Sequence, residues 1–154
     1  MEKQKTKSTI VEEFSFNEVR VSYTCKKLGE KITSSRDAYE LMVRFWEDID
    51  YCESFYVVLL NRANKVLGVC KISTGSVAGT VADPKKIFQT ALAANASSVI
   101  LAHNHPSGNT MPSGKDSEIT NKCKQAGLFL DLPVLDHIIV TRDGYYSFAD
   151  EGNM

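Results

Sequence analysis

The residue types best suited to chemistry lie within fourteen residues of one another, between His103 and Asp116. His103 and His105 are two positions apart, so an extended backbone would point both imidazoles to the same side. Asp116 follows eleven residues later, which is far enough for a loop to turn and a helix to begin. Two imidazoles and one carboxylate suit Zn²⁺, and three protein ligands with a fourth position left for water are typical of a catalytic zinc site.

A second interpretation of the same stretch requires no metal. Ser113 and Asp116 form the pattern S-x-x-D after Pro112, which is a variant of the capping box that begins many helices. The preceding residues 105–108, His-Pro-Ser-Gly, would then form only a turn, since proline and glycine commonly interrupt regular structure. The spacing favours the metal site, and both interpretations stay open at this point.

A hydrolytic zinc site also needs a general base that takes a proton from water and passes it to a leaving group. The upstream candidates are Glu40, Glu47 and Glu53. Glu40 and Glu47 fall on a predicted helix, where charged side chains commonly face solvent. Glu53 directly precedes an apolar run that predicts a buried strand, so we place the base there.

Two further residues near the cluster have alternative roles. The hydroxyl of Ser113 could donate a hydrogen bond to the oxyanion of a tetrahedral intermediate, cap a helix, or do both through different groups. His137 lies inside a predicted strand, and we interpret it as a hydrogen-bonded structural histidine.

Composition predicts one globular domain. The chain has 154 residues, of which 43% are hydrophobic, and it contains no apolar run of the roughly 20 residues needed to span a bilayer. Residues 1–9 are polar and rich in lysine without the apolar centre of a signal peptide. We therefore predict a disordered tail over residues 1–15 and a single domain over residues 16–154.

The cysteines and the net charge bear on the compartment and on partners. Cys25, Cys52, Cys70 and Cys123 form no C-x-x-C pair, which predicts small buried apolar side chains and a reducing cytoplasm. A net charge of −1 predicts no general attraction to nucleic acid, although a local basic face stays open.

Hydrophobic periodicity and turn residues predict the order β-α-β-β-α-β-α-β-β. The predicted strands are residues 18–24, 54–60, 66–72, 99–102, 134–141 and 145–148, and the predicted helices are residues 36–48, 84–94 and 114–126. This order predicts a mixed sheet with helices on both faces, a three-layer α/β/α sandwich. The strand over 99–102 would deliver His103 and His105 to its carboxyl end, where open α/β sheets bind ligands.

The pattern H-x-H-x7-S-x2-D, formed by His103, His105, Ser113 and Asp116, resembles the signature of the JAMM, or MPN+, metalloproteases, which have a JAB domain. The stretch L-A-H-N-H-P-S-G more narrowly resembles the RadC-like branch. Further matches are Glu53-Ser-Phe, Gly79-Thr80 ahead of Asp83-Pro84, Asp136-His137-Ile138-Ile139, and Tyr146-Ser147-Phe148. Together the matches extend from about residue 32 to the end of the chain.

This resemblance implies a cytidine-deaminase-like fold, the JAB/MPN domain, with one Zn²⁺ on His103, His105 and Asp116. It also implies that Ser113 assists catalysis and that a glutamate acts as the base, which we place at Glu53. Members of the wider family cleave peptide or isopeptide bonds, often next to ubiquitin-like tails. The predicted function is therefore a zinc-dependent hydrolase with a peptide or protein substrate, and the sequence identifies neither that substrate nor the oligomeric state.

Two other functions come from different classes. The RadC-like branch carries a DNA-repair label, so the alternative is an accessory protein in repair or mobile-element biology with a secondary or structural zinc site. The roughly 30 residues ahead of the domain are too few for the helix-hairpin-helix region of longer RadC proteins, which argues against independent DNA binding. A deaminase would need H-x-E and P-C-x-x-C, but His105 occupies the glutamate position and no P-C-x-x-C occurs.

Overall fold

The computed structural model describes residues 29–75 and 82–154. In chain order the elements are α1 (Ser35–Phe45), β1 (Ser54–Leu60), β2 (Val66–Thr74), α2 (Pro84–Ala93), β3 (Ser98–Asn104), α3 (Gly114–Phe129), β4 (Val134–Val140) and β5 (Tyr145–Ser147). The predicted tail over residues 1–15 and the predicted strand over residues 18–24 lie outside the described residues. Every other predicted helix and strand is present, with ends that differ by a few residues.

The five strands form one mixed sheet in the order β2-β1-β3-β4-β5. β3 runs parallel to β4, whereas the other neighbouring pairs are antiparallel. β3 is the central strand, and all of its residues are buried. A strand covered on both faces is expected to be apolar along its length, which explains the run Val-Ile-Leu-Ala that precedes His103.

Helices cover both faces of this sheet. On one face α1 packs with residues from four strands. This cluster includes Leu41 and Met42 of the helix, the adjacent Trp46, and Val58, Ile100 and Ile138 of the strands. On the other face α2 and α3 pack with alternate strand residues. This cluster includes Ile87 and Phe88 of α2, Cys123 of α3, and Val57 and Leu101 of the strands. The predicted three-layer α/β/α sandwich with a mixed sheet is therefore confirmed. Across the two described ranges, no helix combines the length and the apolar character needed to cross a bilayer.

The cysteines of the described ranges are free thiols. Cys70 and Cys123 are buried, as predicted, and burial raises the pKa of the Cys123 thiol to about 12. Cys52 is only partly buried.

Helix α1 is shorter than predicted. Ser34 caps it in a capping box with Asp37, and the helix ends at Phe45 because Trp46 adopts an extended backbone. The predicted end at residue 48 was wrong, since the amide side chain of Asn104 donates to the carbonyl oxygens of Ile49 and Cys52 and holds this segment outside the helix. The chain thus turns towards the carboxyl end of β3 before β1 begins.

Helix α3 is longer than predicted and continues through Gly127 to Phe129. The nitrogen of Leu132 donates to the carbonyl oxygen of Gly127, so the chain folds back closely over the end of the helix. A Cβ at Gly127 would lie 2.6 Å from the backbone oxygen of Leu132, which only a glycine avoids.

We expect Gly127→Ala to lower the free energy of unfolding by about 1–3 kcal/mol through overpacking. At an ordinary helix position, alanine is more favourable than glycine by about 1 kcal/mol. A loss of stability in Gly127→Ala would therefore come from the close approach of Leu132. Gly114→Ala is the matched control, because an added Cβ at the first residue of the same helix meets nothing within 4 Å. Urea unfolding of both variants measures the difference, and equal stabilities would contradict the close approach.

Candidate metal centre

The two histidines of the H-x-H pattern meet at the carboxyl end of the central strand. His103 lies within β3 and is buried, whereas His105 follows the strand and is partly buried. Their Nε2 atoms are 3.0 Å apart. The extended backbone therefore places both nitrogens on the same side, as the two-residue spacing predicted.

Asp116 lies in the first turn of α3 and joins these imidazoles. Its Oδ1 atom is 3.2 Å from Nε2 of His103, and its Oδ2 atom is 3.7 Å from Nε2 of His105. The capping box is also present. Oδ2 of Asp116 accepts from the backbone nitrogen of Ser113 at 2.6 Å, and Oγ of Ser113 accepts from the backbone nitrogen of Asp116 at 3.2 Å. The capping-box interpretation is therefore confirmed, and the cap itself fixes the carboxylate beside the imidazoles, where the metal-site interpretation requires it.

Glu53 reaches the same place from the start of β1. The carboxylate of Glu53 and one nitrogen each of His103 and His105 lie within 4.8 Å of one another. This distance allows Glu53 either to bind a metal ion directly or to act on a water beside it. Glu40 and Glu47 are exposed, and Glu40 pairs with Arg36 at 2.9 Å, so the structure brings only Glu53 of the three candidates to the cluster.

The electrostatics of the cluster favour a bound positive charge. Burial disfavours the charged form of Asp116, but the neighbouring imidazoles of His103 and His105 outweigh burial and hold its pKa well below the usual range. The nearby Asp116 carboxylate raises the pKa of His105, although burial opposes that shift. A metal ion can take the place of a proton between these groups, because metal ligands must be deprotonated.

The remaining ring nitrogens are held by other groups, as in zinc sites. Nδ1 of His105 donates to the carbonyl oxygen of Asn109 at 2.6 Å, which leaves Nε2 as the acceptor of the neutral ring. Nδ1 of His103 lies 2.8 Å from Nε2 of His137. Two oriented imidazoles and a carboxylate therefore fit a metal ion in chemistry and in arrangement.

His137 is the structural, hydrogen-bonded histidine that the sequence predicted. It is completely buried on β4 and contacts both His103 and the hydroxyl of Thr120. Burial first, and then the neighbouring His103, lower its pKa well below the ordinary value, so the ring is neutral.

Asn104, which separates the two histidines, holds the backbone around Glu53. Its Oδ1 accepts from the nitrogen of Ser54 at 2.7 Å, and its Nδ2 donates to the carbonyl oxygens of Ile49 and Cys52 at 2.6 and 2.9 Å. The Asn104 side chain is completely buried. These three bonds fix the residues on both sides of Glu53 to the strand that carries the histidines.

The sequence analysis missed Asn104, Thr120 and the carbonyl of Asn109. Thr120 lies four residues after Asp116, so the helical spacing indicated that the two share a face. The alternation of side chains along β3 indicated that Asn104 points away from the histidines. A backbone carbonyl such as that of Asn109 leaves no signal in residue identity.

Two clefts meet at this cluster. The larger, about 490 Å³, is bordered by Tyr51, Cys52, Glu53, His105, Pro106, Ser107, Asn109, Met111 and Ser113. The smaller, about 250 Å³, is bordered by Glu53, Phe55, Ala82, His103, Lys115, Asp116, Glu118, Ile119 and Lys122. Glu53 borders both clefts, so the cluster is accessible from two directions.

The fold and the site together define an α/β sandwich with a candidate metal centre at the carboxyl end of its central strand. Comparison with known sequences then identifies the family. The chain belongs to the RadC-like JAB domain family, whose model matches residues 32–153.

Several curated relatives are named UPF0758 proteins. One from Flavobacterium johnsoniae is 46% identical over 123 residues, which cover 80% of this chain and 53% of the relative. One from Porphyromonas gingivalis is 42% identical over 124 residues, which cover 80% and 54%. One from Thermotoga maritima is 36% identical over 137 residues, which cover 88% and 60%. The chain thus spans about half the length of these relatives.

We expect Asn104→Ala to lower the free energy of unfolding by about 1–3 kcal/mol for each buried group that it leaves unpaired. Amide hydrogen exchange at Ser54 should also become faster, because its acceptor is lost. Asn121→Ala, which truncates an exposed asparagine of α3, is the control. Unchanged exchange at Ser54 in Asn104→Ala would contradict the role of Asn104 in holding this segment.

Proposed function

We propose that this chain is a zinc-dependent hydrolase that cleaves peptide or isopeptide bonds, with one Zn²⁺ held by His103, His105 and Asp116. The observation that carries the proposal is the convergence of two imidazoles, a carboxylate and Glu53 where two clefts meet. Membership of the RadC-like JAB domain family supports it, because the JAB domain is generally a hydrolytic one.

Each part of the centre has a distinct task. When bound, Zn²⁺ would supply Lewis acidity and lower the pKa of a coordinated water towards about 7. Asp116 and the two histidines would hold the ion, and their hydrogen bonds to Ser113, Asn109 and His137 orient them for that task.

We assign Glu53 the role of general base. It would take a proton from the attacking water as the water oxygen bonds to the substrate carbonyl carbon. It would then give that proton to the amine nitrogen as the carbon–nitrogen bond breaks. The place of Glu53 beside the histidines and at the border of both clefts supports this role.

Ser113 would assist by donating a hydrogen bond to the substrate carbonyl oxygen as it becomes negative. Its Oγ accepts from the nitrogen of Asp116, which occupies one lone pair and leaves the hydroxyl proton available. The residue is exposed and borders the larger cleft together with Glu53 and His105, so a substrate can reach the hydroxyl. Capping and catalysis therefore use different parts of one side chain.

The two clefts favour an extended segment of a peptide or protein as substrate. A chain that enters along the larger cleft would pass Glu53 and continue into the smaller one.

The nucleic-acid role stays an alternative prediction. Lysines at the smaller cleft alternate with acidic residues, and Lys122 pairs with Glu118 at 2.6 Å. This mixture of charges gives phosphates no basic surface there, so the hydrolase is the function that we propose.

We expect about one zinc per chain when untagged protein is loaded with zinc, dialysed and measured by plasma mass spectrometry. Replacing both histidines, His103→Ala/His105→Ala, should abolish this content because two of the three ligands are lost. Asp143→Asn, an exposed aspartate between β4 and β5, is the control and should retain the metal. Zinc-free wild-type protein after this treatment would contradict the proposal.

We expect Glu53→Gln to retain its zinc but to cleave a peptide library roughly 10²–10⁴-fold more slowly, because a glutamine cannot accept the proton. Cleavage products are measured by mass spectrometry after a fixed incubation. Glu47→Gln, which changes an exposed glutamate, is the matched control. Loss of zinc in Glu53→Gln would instead make Glu53 a ligand, and unchanged cleavage would remove it as the base.

A further inference from the structure

A buried chain of hydrogen bonds leads away from the metal centre and returns to it. Nδ1 of His103 lies 2.8 Å from Nε2 of His137, and Nδ1 of His137 lies 2.6 Å from Oγ1 of Thr120. The Thr120 hydroxyl donates to the carbonyl oxygen of Asp116 at 2.6 Å. Relative exposures of 1%, 0% and 1% for His103, His137 and Thr120 exclude water from these contacts.

The direction of these hydrogen bonds follows from the last one, between Thr120 and the carbonyl oxygen of Asp116. A carbonyl oxygen only accepts, so the single hydroxyl proton of Thr120 is committed to Asp116. Oγ1 of Thr120 must then accept from Nδ1–H of His137. A neutral imidazole carries one N–H, so Nε2 of His137 accepts from Nδ1–H of His103. When His103 is neutral, as a metal ligand must be, its Nε2 carries a lone pair that faces Asp116 and His105.

Hydrogen bonds in the opposite direction would prevent His103 from binding a metal ion through Nε2. A proton on Nε2 of His137 would make Nδ1 of His103 the acceptor, which moves the remaining His103 proton to Nε2. That nitrogen would then have no lone pair for a metal ion. The Thr120 hydroxyl therefore decides which form His103 adopts.

Packing holds the His137 ring where the chain needs it. His137 lies on β4 and pairs with Leu101 of the neighbouring parallel strand β3. The ring stacks on Phe148 with centroids 5.0 Å apart and planes at 9°, and it lies against Phe55 at 5.5 Å. The aromatic contacts set the position of the ring, whereas Thr120 sets the direction of its hydrogen bonds.

We propose that Thr120 and His137 are positioning residues that fix the His103 tautomer for metal binding and connect it to the helix that carries Asp116. The inference rests on the proposed zinc site, but it assigns roles to two residues that touch neither metal nor substrate. Groups that orient zinc-bound histidines are most often carboxylates or carbonyls. Here a neutral imidazole, itself oriented by a hydroxyl, does so.

The test is zinc affinity, measured by competition with a chromophoric chelator for wild type, Thr120→Val and Thr120→Ser. Valine keeps the branched shape without the hydroxyl, and we expect zinc binding about 10–100-fold weaker. Serine keeps the hydroxyl, so its affinity should stay close to that of wild type. Thermal unfolding of the zinc-free proteins verifies that each variant is folded, and equal affinities of Thr120→Val and wild type would overturn the inference.

A second measurement needs no variant. Ring ¹⁵N chemical shifts of zinc-loaded wild-type protein should show a proton on Nδ1 of both His103 and His137, and a proton on Nε2 of His137 would overturn the inference.

The outcomes separate the two proposals. Zinc bound with this tautomer but without hydrolysis refutes the proposed function alone, zinc bound with the other tautomer refutes the inference alone, and wild-type protein that binds no zinc refutes both.

Discussion

The site depends on the extended backbone at the end of β3. Because side chains alternate along a strand, His103 and His105 point to one side while Asn104 points to the other. One side supplies two nitrogens 3.0 Å apart. The other supplies the amide that holds the segment around Glu53. The register of a single buried strand therefore positions both the two histidines and the segment that carries Glu53, and a shift by one residue would separate them.

The start of α3 imposes the second constraint. The Asp116 carboxylate completes the capping box with Ser113 and also faces the imidazoles. Its orientation is thus set before any metal binds, which reduces the ordering that binding would require. The helix dipole also favours a negative charge in this first turn. Stabilising the helix and holding the proposed cation would consequently be two effects of one carboxylate.

The sequence predicted the parts of the site that depend on local spacing. The H-x-H pattern, the S-x-x-D pattern and the apolar run of β3 each act over a few residues, and the structure brings them together as expected. The hydrogen bonds of Asn104 to Ile49 and Cys52 span more than fifty residues, so no local pattern indicated them. The same long-range contacts explain why the end of α1 was misplaced. The hydrogen bonding of His137 was correctly predicted, but its link to His103 depends on the pairing of β3 with β4.

We propose that one zinc ion is held by two histidines and Asp116, with a position left for water. Anomalous diffraction at the zinc edge from zinc-loaded crystals would locate this ion. We expect one peak about 2.0–2.2 Å from Nε2 of His103, Nε2 of His105 and a carboxylate oxygen of Asp116, with Glu53 outside that distance. A peak that Glu53 ligates in place of water, or the absence of any peak at this end of β3, would contradict it.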